Sequence, residues 1–318
     1  MNPTANTADI TMLKRLAQLA GLILFMVLAR RIADSFGVKA PWYLLHELVV
    51  LLIPMGWLLI DVFPKLEPSQ RIAFVITSGL FIGQSAIAEL LAIQHQYWGF
   101  YTKLDPLSGF DLGAIPVEEF LSYPMLLNIP ILWYLWLGRV FTNEQRLGMQ
   151  KQQAIAKWLK RAAWLSVYGA VFFVGLAILG VGESASNDAV PGFDAMGAIR
   201  FANGPRQYGW TIVQLLGWAG TFAVAAKVAH RLQWKRMLVM VLTYFPFALF
   251  FELLACGRGW WVWNTQQAVG VTAWVLPIES FSMYLTGALF PTLCFEWLVP
   301  VCRDENATDA LRPQATAN

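Results

Sequence analysis

The chain has 318 residues, 57% of them apolar and only 14% charged, with a formal net charge of +3 and a mean hydropathy of +0.51. Soluble domains carry about a quarter charged residues, so this composition excludes a water-soluble globular fold. The basic residues cluster at the edges of apolar runs, as in Arg139–Arg161, and form no aromatic-interleaved patch, so membrane lipid rather than nucleic acid is the expected partner.

About twenty apolar residues suffice to cross a bilayer. Eight such spans are predicted, at 13–35, 42–63, 71–94, 116–138, 160–181, 208–230, 236–255 and 277–301. The fold class is therefore an all-α polytopic membrane protein of about eight transmembrane helices. Ahead of the first span, MNPTANTADITMLKR is polar and then basic, and Leu16 to Leu28 has the length of a signal-peptide core. Ala29-Arg30-Arg31 is a poor small-residue cleavage site, so a retained helix is expected. At the start of the second span, His46 and Glu47 within Tyr43–Glu47 read as interfacial anchors. Pro54, Pro124, Pro130, Pro246 and Pro291 fall inside spans, which membrane helices tolerate. Cys256, Cys294 and Cys302 lack CxxC spacing and are expected to be buried and apolar.

With eight spans, one side of the membrane carries 16 of the 23 lysines and arginines and the other carries 7. Both termini are accordingly expected on the cytoplasmic side. The domain organisation read from the sequence is a first repeat at 1–145, a basic cytoplasmic linker at 146–162, a second repeat at 163–303 and a disordered tail at 304–318.

The repeat is visible in the residues. Gly83–Pro124 contains Glu89, then Trp98 nine residues on, then Pro116-Val117-Glu118-Glu119-Phe120 opening a helix. Phe245–Leu285 contains Glu252, then Trp261 nine residues on, then Pro277-Ile278-Glu279-Ser280-Phe281. Glutamate-to-proline spacing is 27 in the first copy and 25 in the second. Equivalent helices lie four spans apart, so the repeats are parallel, and their acid-bearing loops fall on one side of the membrane.

Glu89, Glu118, Glu119, Glu252, Glu279 and Glu296 lie at or within spans. An ionised carboxylate at the bilayer centre costs about 2.5–3.5 kcal/mol on insertion scales, so such residues are rare without a role. An apolar setting favours the neutral acid, which is a proton donor. Pro-x-Glu-Glu is also a good helix start, with acids at the positive end of the macrodipole. Duplication of the whole acid–tryptophan–proline–acid pattern favours chemistry over capping alone.

The intervening loops are aromatic, with Tyr97, Trp98, Phe100 and Tyr101 in one and Trp260, Trp261, Trp263 and Trp274 in the other. Two readings fit: an interfacial aromatic belt, or a cavity whose π faces stabilise a carbocation by roughly 0.5–2 kcal/mol each. His46, His95 and His230 lie apart on different segments, which argues against an iron or haem site. There is no GxGxxG, so no nucleotide cofactor is expected, and no aspartate-rich magnesium motif. No metal and no cofactor is anticipated. Acid plus aromatic lining is what protonation-initiated olefin cyclisation requires.

Over about 42–140 and 207–302 the pattern resembles the membrane-integral, flavin-independent lycopene cyclase domain family, whose two domains occur as separate subunits or as one fused chain. The Pro-x-Glu-Glu motif of that family is matched by Pro116, Glu118 and Glu119, and in the second copy by Pro277 and Glu279, where Ser280 replaces the second acid. Its upstream acid, often aspartate in relatives, is matched by Glu89 and Glu252, and its tryptophan by Trp98 and Trp261. The resemblance implies a non-redox isomerase of the bacterial cytoplasmic membrane that takes a lipid-soluble linear carotenoid, with neighbouring carotenoid-pathway enzymes as partners. It implies Glu118 or Glu119 as proton donor, with Glu279, Glu89 and Glu252 as base and tuning groups. Substrate contacts are expected from Trp98, Tyr97, Tyr101, Trp260, Trp261, Trp263, Pro116 and Pro277. A terpenoid cyclase or hydratase acting on another polyprenyl chain would use the same acids. A proton-coupled transporter would also have parallel repeats and intramembrane glutamates, but the aromatic crowding suits an apolar ligand better.

Overall fold

A computed structural model describes residues 3–38, 40–100, 111–112, 115–141, 147–182, 205–274 and 276–310. The protein is an all-α polytopic membrane protein: eight of its helical segments are long and apolar enough to span a bilayer, at Leu13–Ser35, Trp42–Lys65, Pro68–Gln94, Val117–Val140, Met149–Ile178, Gly209–Val228, Trp234–Gly257 and Ile278–Arg303. They belong to α1 (Pro3–Ser35), α2 (Trp42–His46) with α3 (Ile53–Val62), α4 (Pro68–Gln94), α5 (Val117–Val140), α6 (Met149–Ile178), α7 (Gly209–Val228), α8 (Trp234–Gly257) and α9 (Ile278–Ala310). Six strands of two or three residues lie between them: β1 (Trp98–Phe100), β2 (Asp111–Leu112), β3 (Ile115–Pro116), β4 (Trp261–Trp263), β5 (Thr272–Ala273) and β6 (Leu276–Pro277).

Local chemistry explains several boundaries. Pro68 opens α4 behind a capping box between Glu67 and Gln70, which satisfies backbone donors at the helix start. Pro116 and Pro277 end β3 and β6, immediately before α5 and α9. In the second span a π-helical turn, Glu47–Leu52, joins α2 to α3 just ahead of Pro54. Proline has no N–H to give to the preceding turn and its ring crowds that turn's carbonyl, so the widened winding sits where the α ladder is already broken.

Two expectations about boundaries need correction. Residues 149–162, read as a linker, are the first turns of α6. The tail read as disordered from 304 is helical as far as Ala310, and 311–318 lie outside the described residues. The three cysteines are free, with Cys256 and Cys302 buried and Cys294 half-buried.

The two halves pack as a pseudo-symmetric pair. In sequence α4 corresponds to α8 and α5 to α9, and the contacts exchange accordingly: α4 packs on α9, α8 on α5, and α5 on α9. The antiparallel β1–β4 ribbon makes the relation explicit. Trp98 faces Trp263, Phe100 faces Trp261, and Gly99 faces its own counterpart Val262. Two equivalent strands can pair that way only about a local two-fold axis through the Gly99–Val262 pair. The hairpins β2–β3 and β5–β6 repeat one register, with Asp111 opposite Pro116 and Thr272 opposite Pro277. Outward-facing side chains such as Leu80, Phe172 and Leu242 are exposed and apolar, as a lipid-facing surface requires. α6 is the most peripheral of the eight spans and packs on α7.

Candidate active site

The β1–β4 ribbon forms the roof of a cavity of about 710 Å³ that extends down between α4, α7 and α9. Each wall helix presents one stripe to it at helical spacing: Phe81, Ser85, Ala88 and Ala92 from α4; Trp210, Val213, Gly217 and Gly220 from α7; Met283, Gly287 and Phe290 from α9. Directly under the roof, Trp98, Trp210 and Trp263 pack mutually, with ring centroids 4.9–5.4 Å apart. Tyr97 extends the cluster to Trp210 at 6.1 Å. Burial raises the Tyr97 phenol above its ordinary value, so it lines the cavity as a neutral ring.

Three carboxyl groups meet in this cavity: Glu89 and Glu119 from the first half, and Glu252 from the second. All three are buried. Glu89, on the last turns of α4, accepts from Trp98 Nε1 at 2.6 Å and faces the Tyr123 hydroxyl. Glu252, its counterpart on α8, receives four donors. Trp263 Nε1 reaches Oε1 at 2.7 Å, Trp261 Nε1 at 3.1 Å and Cys256 Sγ at 3.5 Å, and the Tyr284 hydroxyl reaches Oε2 at 2.6 Å. Glu119, in the first turn of α5, is hydrogen-bonded by the Tyr43 hydroxyl. Tyr43 is fully buried and faces Glu47 as well as Glu119.

The remaining expected site residues sit elsewhere. Glu118 is buried one helical step from Glu119 and does not line the cavity. Glu279 also lies outside it: its Oε1 accepts from Thr211 Oγ1 at 2.6 Å and from Val269 N at 2.8 Å, tying α7 and the loop after β4 to the first turn of α9. Trp260, expected among the substrate contacts, packs at a tilt against Tyr43, ring centroids 4.9 Å apart, and does not line the cavity. Pro116 and Pro277 are buried strand ends that start the acid-bearing helices rather than walls of the cavity. Trp274 is 75% exposed, Glu296 faces Tyr134, and Tyr101 lies outside the described residues.

Several groups at the site were not anticipated. His46 and Glu47 are not interfacial anchors: both are buried, His46 against Trp260 and Glu47 behind Tyr43. Tyr123 and Tyr284, each seven residues after the motif proline, face the two upstream glutamates. That shared offset is a signal present in the sequence. The Cys256 contact with Glu252 has no counterpart in the first repeat and left no such trace.

This arrangement is suited to moving protons in a water-poor aromatic chamber. A family model described as Lycopene cyclase matches residues 40–137 and 205–298, more than half of the chain. The two matched segments hold every acid and aromatic group of the cavity and leave out α1 and α6. No curated protein and no solved structure matches the chain.

Proposed function

The chain belongs to the lycopene cyclase family, and from that premise we propose that it closes a six-membered ring at the end of a linear carotenoid by proton transfer alone. One observation carries the reading: carboxyl groups from both halves converge on a single cavity walled by tryptophan and tyrosine.

In the proposed reaction the Glu119 carboxylic acid protonates C2 of the terminal isoprene unit. Positive charge develops at C1, and the C5–C6 π pair forms the C1–C6 bond. The charge passes to C5, and loss of a proton from C6 or C4 restores a double bond. One proton enters and one leaves, so product and substrate are isomers and no redox partner is required. Glu252 is the acceptor in this scheme, because it receives four hydrogen bonds, two of them from indole N–H groups that can only donate. Glu119 suits the donor role because its partner, the Tyr43 hydroxyl, can donate or accept as the acid gives up and regains its proton. Glu89, which lines the same cavity, is in this scheme the group through which the proton returns. The indole and phenol rings stabilise the cation without capturing it. The excess of lysine and arginine on the terminal side supports cytoplasmic termini, with the cavity opening toward the opposite leaflet.

The test is expression in bacteria that accumulate lycopene, followed by chromatography and mass spectrometry of the pigments. The expected result is a cyclic carotenoid of unchanged mass that is absent with Glu119→Gln. Unchanged lycopene, with the protein present in the membrane, would overturn the reading.

A further inference from the structure

A linear carotenoid is far longer than the unit that reacts, and only one of its ends can lie among the three carboxyl groups. The cavity wall indicates where the rest goes. Along α4 and α7 its stripes run out to exposed residues, Gln84, Ala88 and Leu91 on one side and Val213 and Leu216 on the other. Both helices pack on α9, which forms the floor of the slot between them. The floor and one wall are lowered by glycine: a Cβ at Gly217 or Gly287 would meet nothing within 4 Å. The slot ends at Phe290, which touches Phe81 edge-on at 5.3 Å and lies 3.5 Å from the Cβ position of Gly220.

Among the described residues, the other half shows no matching opening. Counted from Trp42 and Trp210, Val49 and Leu52 stand where the second half has Gly217 and Gly220. Counted from the motif prolines, Leu126 stands where it has Gly287. There, α1 lies across the gap, with Leu16 and Leu19 over Trp57 and Trp133, and leaves an apolar pocket of only about 60 Å³. Its counterpart α6 packs on α7 and contributes nothing to the cavity lining.

We propose that the slot between α4 and α7, floored by α9, is a lateral entrance from the lipid to the three carboxyl groups and the binding groove for the unreacted polyene of the substrate. The inference rests on the cyclase reading for the identity of the ligand. The occupant is an extended hydrocarbon because the walls are mostly apolar, glycine opens the floor at Gly287, and the groove joins the acid chamber to the bilayer in which such a substrate is dissolved.

The test uses Gly217→Leu and Gly287→Leu, which place side chains in the groove from two different helices. The control is Gly175→Leu, at an equally open glycine on α6 outside the groove. Each full-length variant is expressed in lycopene-accumulating cells. Ring formation is measured, and carotenoid co-purifying with detergent-solubilised protein is read by absorbance. Both Gly217→Leu and Gly287→Leu should lose about tenfold or more of ring formation and of retained pigment at unchanged membrane level, while the control matches the wild type. If one leucine variant fails to reach the membrane, the other decides. Wild-type cyclisation and pigment retention in a membrane-inserted leucine variant would overturn the groove. Pigment retained by wild type but not by the leucine variants, with no ring formed by either, would instead overturn the cyclase reading and uphold the groove. A wild type that neither retains pigment nor forms rings would overturn both.

Discussion

Glu118 and Glu119 are adjacent in sequence, yet one helical step of about 100° separates their directions, and only Glu119 lines the cavity. Glutamine preserves the shape of a glutamate and removes the transferable proton. Glu119→Gln and Glu252→Gln should therefore each slow ring formation by about 10²–10⁴-fold, the usual range for loss of a general acid or base. Glu118→Gln should slow it far less. Initial rates in isolated membranes at matched protein level distinguish these outcomes, and the reverse order would reassign the donor. The motif alone marks both acids without choosing between them, because the choice depends on how α5 is rotated against α4 and α8. Glu47 and Tyr43 were hidden for a related reason. A histidine–glutamate pair at a span start looks like an interfacial anchor until the π turn ahead of Pro54 and the packing of α1 enclose it. Tyr43→Phe removes the hydroxyl between Glu47 and Glu119 and keeps the ring packed against Trp260. It should lower the rate by roughly tenfold or more with little change in thermal stability.

Among the elements, the β1–β4 ribbon sets the geometry of the roof, and its alignment depends on neighbouring polar contacts. Asn264, directly after β4, is buried; its Nδ2 donates to Gln96 O at 2.7 Å and its Oδ1 accepts from Gln266 N at 2.9 Å. Asn264→Ala orphans both backbone groups and should cost about 1–3 kcal/mol, seen as a lower unfolding midpoint in detergent. Because Trp263 is the adjacent residue and donates to Glu252, the variant should also lose ring formation at temperatures where it remains folded. Retention of full activity would mean that the roof is positioned by the helices alone. Apart from the start of the fifth, the spans were legible in the sequence to within a few residues, since they are apolar runs bounded by charge or proline. The strands were not, because two or three residues carry no periodicity and their pairing is between halves. α6 begins earlier than hydropathy suggests, because its first turns carry glutamine and lysine while still winding as helix.

For the molecule as a whole, the acid-lined cavity belongs to neither repeat. Glu89 and Glu119 come from one half and Glu252 from the other; the roof is one strand from each, and α4 and α5 pack on α9 and α8 across the interface. The duplication was readable from spacing alone; of the five acids it marked, Glu89, Glu119 and Glu252 line one cavity, and Glu118 and Glu279 do not. The asymmetry was only half readable: Ser280 in place of a second acid was visible, whereas the covering of one side by α1 required the packing. Since the cavity is lined by both halves, which pack on each other through α4, α5, α8, α9 and the β1–β4 ribbon, and only the segment from α5 to α6 joins them covalently, that connection is dispensable in principle. Breaking the chain between Phe141 and Leu147 and co-expressing the two pieces should restore ring formation and let a tag on one piece retrieve the other. Either piece alone should be inactive. The loss of covalent linkage lowers the effective concentration of one half for the other, so yield should rise with expression level instead of falling to zero. Ring formation by one piece alone would show that a complete site lies within a single repeat, and would remove the two-fold interface from the mechanism.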